Sequence, residues 1–103
     1  MARVLLAALM MVLLAPGGVA AVEPAALRTS FGDGMWRVRK DIRPGTYRTA
    51  GGRGCYWAIL EDFRGGIVEN NVTLRKAPQV VTILRSDVGF ETTSCGTWRR
   101  VSP

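Results

Sequence analysis

The chain has 103 residues, with fourteen basic residues, eight acidic residues, no histidine and a formal net charge of +6. This length allows one domain at most. The absence of histidine excludes Ser-His-Asp and Cys-His catalysis and every histidine-based metal site, and the positive charge favours anionic partners without choosing among them.

The amino-terminal segment has the layout of a secretory signal peptide. Arg3 precedes an uncharged apolar run of twelve residues, 4–15, and small residues follow at Ala20 and Ala21. A transmembrane helix needs about 20 apolar residues, so this run is too short to span a bilayer. We therefore expect a signal peptide over residues 1–21 and a secreted, extracellular protein, with an uncleaved amino-terminal anchor as the alternative.

The segment that follows, residues 22–31, has no clear hydrophobic period and is predicted to be a flexible lead-in. Gly32-Asp33-Gly34 is a turn signal, and we place the start of the domain there, so that the domain covers residues 32–103. No sustained helical period occurs in this part of the chain. We therefore expect this part of the chain to form β-strands.

The first half of the domain predicts three strands. Residues 35–40 alternate apolar and basic side chains, which indicates a strand with one dry face and one wet face. Arg43-Pro44-Gly45-Thr46 fits a type II turn, and a short strand over residues 46–49 follows it. Residues 55–60 are apolar on both faces, which is typical of a central strand between two layers.

The second half predicts five further segments. Residues 67–71 and 72–76 are half-polar and are predicted to be edge strands, and residues 79–84, QVVTIL, are the run richest in β-branched side chains. The last strands are predicted over residues 88–92 and 97–101. Short strands separated by Gly, Pro and Asp turns predict an all-β fold, a small antiparallel β-sandwich of about seven strands, with a barrel-like closure as the alternative.

Cys55 and Cys95 are the only cysteines. An exported chain with an even number of cysteines is expected to have them bonded, and two cysteines without histidine make a poor zinc site. Their separation also excludes a C-x-x-C redox motif. We predict one structural disulfide that closes a loop of about 40 residues, and we predict no cofactor and no metal.

Three motifs resemble those of a family of small exported actinobacterial domains with no settled activity. That family opens on GxGxWxVxxDIxPGTYR, carries a GCYW strand and closes on CGTW. The resemblance covers residues 31–100 and implies a secreted all-β module with a disulfide, without implying a mechanism. Met35 departs from the small polar residue usual at its position. The matching residues are Gly32, Gly34, Trp36, Val38, Asp41, Ile42, Pro44, Gly45, Thr46, Tyr47, Arg48, Gly54, Cys55, Tyr56, Trp57, Cys95, Gly96, Thr97 and Trp98.

The aromatic side chains fit either a core or a platform for sugar rings or bases. We expect the three tryptophans, Trp36, Trp57 and Trp98, to fill the core, because large rings bury about 150–250 Å² each. The two tyrosines are left open between core and surface. Flanking arginines would add charge to an exposed platform, and Arg53 lies at the tip of the glycine-rich bend GGRGCYW. The candidate binding residues are Tyr47, Arg48, Arg53 and Tyr56.

The carboxylates predict no catalytic site. Glu61 and Asp62 are adjacent, and neighbouring residues on a strand point to opposite faces. They therefore do not form the facing pair that glycosidases use, and solvated turn charges are the simpler interpretation. No Ser–Lys spacing indicates a nucleophile and its base. We predict that the protein is not an enzyme.

These features together predict a secreted, non-enzymatic β module. We expect it to bind a protein, or an anionic cell-envelope or polysaccharide partner, and to bind neither nucleic acid nor, after signal cleavage, a membrane. The alternative is a secreted protease or hydrolase inhibitor that presents a loop held by the disulfide. Residues 49–54 and 93–96 are the candidate inhibitory loops.

Overall fold

The computed structural model describes residues 26–103, and the signal peptide expected over residues 1–21 lies outside the described residues. The described part forms two antiparallel four-stranded sheets, a β-sandwich rather than a barrel. It contains no helix long and apolar enough to cross a membrane. The strands are β1 (Ser30–Phe31), β2 (Gly34–Arg37), β3 (Gly45–Thr49), β4 (Cys55–Leu60), β5 (Ile67–Thr73), β6 (Gln79–Ile83), β7 (Gly89–Thr93) and β8 (Trp98–Ser102).

Each sheet brings together strands that are distant in sequence. The first sheet has the order β1-β8-β3-β6, and the second has the order β2-β7-β4-β5. Among the described strands, only β4 and β5 are consecutive and paired as a hairpin; every other connection crosses from one sheet to the other. The pairing of each sheet is therefore set by the packing of the whole domain.

The core lies between the two inner faces and is built mainly from aromatic rings. Phe90 of β7 meets the Trp98 ring edge to face at 5.3 Å and stacks on Trp57 at 6.1 Å. Phe31 packs 5.1 Å from the ring of Tyr47. Edge-to-face and offset contacts of this kind add stabilisation to the burial of the rings themselves. A domain this small thus fills a thin interlayer space with few, large side chains.

The fold begins before residue 32, because part of the segment predicted as a lead-in is structured. Ser30–Phe31 pairs with the Trp98 end of β8 as strand β1. Phe31 is 4% exposed and belongs to the core cluster. The lead-in predicted over residues 22–31 therefore includes residues of the fold. It does so because the ring of Phe31 closes the core at this edge.

The strand predicted over residues 35–40 ends early. β2 stops at Arg37, and the carboxylate of Asp41 accepts hydrogen bonds from the Arg37 backbone N–H at 2.8 Å and from its guanidinium. Arg39 takes a φ of 69° within the turn that results. The alternation in the sequence continues past the strand because Val38 remains buried beyond its end.

The type II turn predicted over residues 43–46 is wrong. Gly45 begins β3 with a φ of 146°, whereas the third position of a type II turn needs about +80°. A Cβ at this position would lie 2.5 Å from Nε of Arg100. Because glycine has no Cβ, this position leaves room for the Arg100 side chain to cross the strand.

The two edge segments predicted over residues 67–71 and 72–76 are one strand, β5, which ends at Thr73. Its position at an edge is confirmed, since β5 pairs only with β4. A register shift opposite Ile59 and Leu60 interrupts the pairing. β6, the segment richest in β-branched residues, is also an edge strand.

The predicted disulfide is confirmed. Cys55 and Cys95 are bonded, with an S–S distance of 2.03 Å. The bond joins the first residue of β4 to the loop between β7 and β8. Both half-cystines are buried, so the bond is a structural part of the core.

Candidate basic binding surface

The outer face of the first sheet carries two arginines at directly opposite positions. Along β3, Tyr47 and Thr49 point into the core, so Arg48 between them points outward. Along β8, Trp98 is buried and Arg99 is exposed. The register of the two strands places Arg48 opposite Arg99.

A cleft of about 600 Å³ lies beside this pair. Lys76, from the segment between β5 and β6, also lines it, so that three cationic side chains share one depression. We call Arg48, Lys76, Arg99 and the space between them the basic cleft. The remaining lining residues are small or uncharged: Thr49, Ala50, Gly51, Pro78, Cys95, Gly96, Thr97 and Val101.

No described carboxylate balances these cations. Within residues 26–103 the ion pair found within 4.0 Å is that of Arg37 with Asp41, which lies outside the basic cleft. The four strands of the first sheet contain three arginines and no acidic residue. The strands of the second sheet contain two acidic residues, Glu69 and Glu91. Among the described strands, the excess of positive charge is thus in the first sheet.

The floor of the basic cleft is held by close backbone contacts. Gly51 has a φ of 89°, and a Cβ there would overlap the carbonyl of Ala77. A Cβ at Gly52 would overlap the carbonyl of Ser94. The Thr49 hydroxyl donates to the carbonyl of Cys95 and accepts from the backbone N–H of Gly51 at 3.2 Å. These contacts and the disulfide fix the shape of the cleft before any ligand arrives.

The structure does not bring the four predicted binding residues together. Arg48 lines the basic cleft, and Arg53 is exposed in the turn before β4. Tyr56 is half-buried on the second sheet, where it pairs with Thr93 and Val72. Tyr47 is fully buried, so its ring cannot stack on a ligand, and its assignment to the binding set is corrected: its place on the dry face of β3 makes it core.

The tryptophans largely follow the prediction. Trp57 and Trp98 are buried, and Trp36 is partly buried and packs against the core cluster. Trp98 donates from its indole nitrogen to the Thr92 hydroxyl at 2.8 Å. An aromatic platform is therefore not the basis of this surface, which is built from charge and hydroxyl groups.

Two residues of the basic cleft, Lys76 and Arg99, are missing from the predicted set. Alternation along β8 does indicate that Arg99 faces outward. Its position opposite Arg48, however, depends on the pairing of β3 with β8, strands about fifty residues apart. No local pattern in the sequence predicts such a pairing.

The described carboxylates with shifted pKa values have structural roles. Hydrogen bonds from Arg37 lower the pKa of Asp41. Backbone N–H groups of Arg64 and Gly66 donate to the carboxylate of Asp62 at 2.8 and 2.9 Å and lower its pKa. Both carboxylates close turns, as expected for Asp62 from its position after a strand.

The fold, the buried disulfide and the basic layer define a small disulfide-bonded β-sandwich of the class found in oxidising compartments. Within that class, the chain belongs to the Rv1352-like extracellular domain family, whose model matches residues 28–99. It is therefore an extracellular domain, and the match includes β1. No curated protein and no solved structure matches the chain.

Proposed function

We propose that this extracellular domain is a non-enzymatic module that binds an anionic polymer of the cell envelope through the basic cleft. One observation carries the proposal: Arg48 and Arg99 lie directly opposite each other on neighbouring strands, with no described carboxylate beside them. Like charges at directly opposite positions destabilise a sheet. A bound anionic ligand would offset that repulsion, so anion binding explains why two arginines lie opposite each other.

The chemistry of the basic cleft suits carboxylate or phosphate groups. A guanidinium group presents a planar set of N–H donors that matches both anions in a bidentate manner. Lys76 adds a mobile point charge on the same cleft. Because the floor is held by backbone contacts and the disulfide, little ordering free energy is lost when a ligand binds.

The packing of the two candidate inhibitory loops favours the binding module over the inhibitor. Residues 49–54 and 93–96 contact each other through the hydroxyl of Thr49 and the close approach of Gly52 to Ser94. An inhibitor needs a loop that projects into the cleft of an enzyme. Residues 49–51 and 95–96 of these loops instead line the basic cleft.

The proposal is tested by measuring the binding of the exported chain to a soluble carboxylated polysaccharide, polygalacturonate, by isothermal titration calorimetry. The variant Arg48→Gln with Arg99→Gln removes two charges from the basic cleft. We expect it to bind at least tenfold more weakly, since each charge-assisted hydrogen bond contributes roughly 1.5–3 kcal/mol.

The matched control is Arg39→Gln with Arg64→Gln, which makes the same change in net charge at exposed positions outside the basic cleft. If both double variants bind equally weakly, the attraction follows net charge alone, and the basic cleft is not the binding site.

A further inference from the structure

A second basic pocket lies on the same sheet, at the other end of β3. It has a volume of about 370 Å³. Its charged side chains are Arg43, Arg85 and Arg100, and Pro103, which follows β8, also lines it. Arg100 is held in place by the hydrogen bond that its Nε donates to the carbonyl of Pro44 at 3.0 Å. We call these three arginines and the space between them the second pocket.

The two sites are joined by hydroxyl groups. Thr82 lines the second pocket, and its hydroxyl lies 3.0 Å from that of Thr46. Thr46 is two residues from Arg48 on the same outward face of β3, and it also pairs with Ser102 of β8. The threonine hydroxyls therefore lie on the outward face between the second pocket and the basic cleft, whereas Arg100, which pairs with Tyr47, enters the second pocket from the inward side of β8.

The length of this path indicates a polymer rather than a small anion. Gly45 lines the second pocket and Thr49 lines the basic cleft. The two positions are four residue steps apart along β3, which is about 14 Å at roughly 3.4 Å per residue. No single carboxylate or phosphate group reaches both sites.

We infer that one linear anionic polysaccharide binds across both sites, with its charges on the arginines and its sugar hydroxyls on the threonine pair. This inference rests on the proposed function and names its ligand class. Threonine hydroxyls both donate and accept hydrogen bonds, which suits sugar hydroxyls better than a chain of phosphates alone. Trp57 and Trp98 are buried, and no described aromatic side chain lines either of the two sites, which disfavours the stacking of nucleic-acid bases there.

Binding at two linked sites has a measurable signature. Once a long chain is bound at one site, its contact with the second site is intramolecular. A long chain therefore binds with an affinity roughly tenfold or more above that of a short chain. We would titrate the exported chain with short and long oligogalacturonates. We expect a tighter Kd for oligomers long enough to span about 14 Å, and Arg43→Gln with Arg85→Gln should abolish that gain.

The hydroxyl pair provides a second, independent measurement. Thr46→Val with Thr82→Val replaces both partners of a hydrogen bond by groups of the same shape, a change that is nearly neutral for stability. Thermal unfolding checks that the variant is folded. We expect severalfold weaker binding of the long oligogalacturonate and a smaller loss for polyphosphate, whose oxygens accept hydrogen bonds from threonine but donate none.

Three outcomes would overturn the inference in distinguishable ways. Equal affinity for short and long oligomers, still dependent on Arg48 and Arg99, would show that one site acts alone, and the proposed function would stand. Tighter polyphosphate binding with no effect of the threonine variant would replace the polysaccharide by a polyphosphate ligand. Absence of binding to every oligomer would remove the proposed function together with the inference.

Discussion

The role of Tyr47 depends on the face of β3 to which its side chain points. Its ring is buried beside Phe31, and its hydroxyl donates to the carbonyl of Arg43 at 2.7 Å. Its neighbour Arg48 faces solvent and lines the basic cleft. Adjacent residues of one motif, GTYRT, thus serve the core and the surface, because side chains alternate along a strand.

Burial raises the pKa of the Tyr47 phenol, and this sets an alkaline limit on stability. The stabilisation by the neutral phenol is fully present below the unfolded pKa of about 10 and is lost as pH rises through the higher folded value. We expect the free energy of unfolding to fall above about pH 10, and the fall to be smaller in Tyr47→Phe. Urea titrations across pH 8–11 measure both.

The control for this prediction is Tyr56→Phe, which leaves the buried phenol in place and should keep the alkaline fall. At neutral pH, Tyr47→Phe should lose roughly 1–2 kcal/mol, because the carbonyl of Arg43 loses its donor. A Tyr47→Phe profile identical to that of the unmodified protein at high pH would show that another group sets the limit.

At the scale of elements, the pairing of β3 with β8 creates a conflict between stability and binding. The register places Arg48 opposite Arg99, and neither side chain has a described acidic partner. Cross-strand pairs of this kind change stability by roughly 0.2–1 kcal/mol, and like charges act unfavourably. Residues retained at a cost in stability are typical of functional surfaces.

We therefore expect Arg99→Thr to raise or preserve the thermal midpoint while weakening polygalacturonate binding. Threonine suits an exposed strand position, and the substitution removes the repulsion with Arg48. Differential scanning calorimetry without ligand, with calorimetric titration of polygalacturonate, measures both effects. A clear loss of stability would contradict the role assigned to the pair and indicate that the arginine stem packs on the sheet.

The edge elements show what a local pattern misses. The sequence of β5, IVENNVT, has half-polar character and correctly predicts an edge, but it does not show that the strand is continuous through Val72. The boundaries of β2 depend on the Asp41 carboxylate that closes the next turn. Such boundaries are set by side chain–backbone hydrogen bonds, which a hydrophobic period does not register.

At the scale of the whole molecule, the disulfide closes a loop of 40 residues that includes β4, β5, β6 and β7. The chain-entropy model gives such a loop about 4 kcal/mol of stabilisation. A domain of this size has a small core and a small total stability. The bond is therefore expected to decide whether the sandwich is folded at growth temperature.

We expect Cys55→Ala with Cys95→Ala to lower the free energy of unfolding by about 4 kcal/mol. Guanidinium titration of the double variant and of the unmodified protein measures the difference. The reduced, unmodified protein is the matched control and should behave like the double variant. A loss below 1 kcal/mol would mean that the core alone holds the two sheets together.

The sequence by itself predicted the all-β class, the disulfide, the extracellular location and the edge character of residues 67–73. These follow from local alternation, from the cysteine count and, for the location, from the layout of the amino-terminal segment. The tertiary structure alone decided the basic surface. Arg48, Arg99 and Lys76 meet because β3 pairs with β8 and the segment before β6 reaches the same cleft. These contacts join residues far apart in the chain, and only the packing of both sheets around the aromatic core selects that pairing.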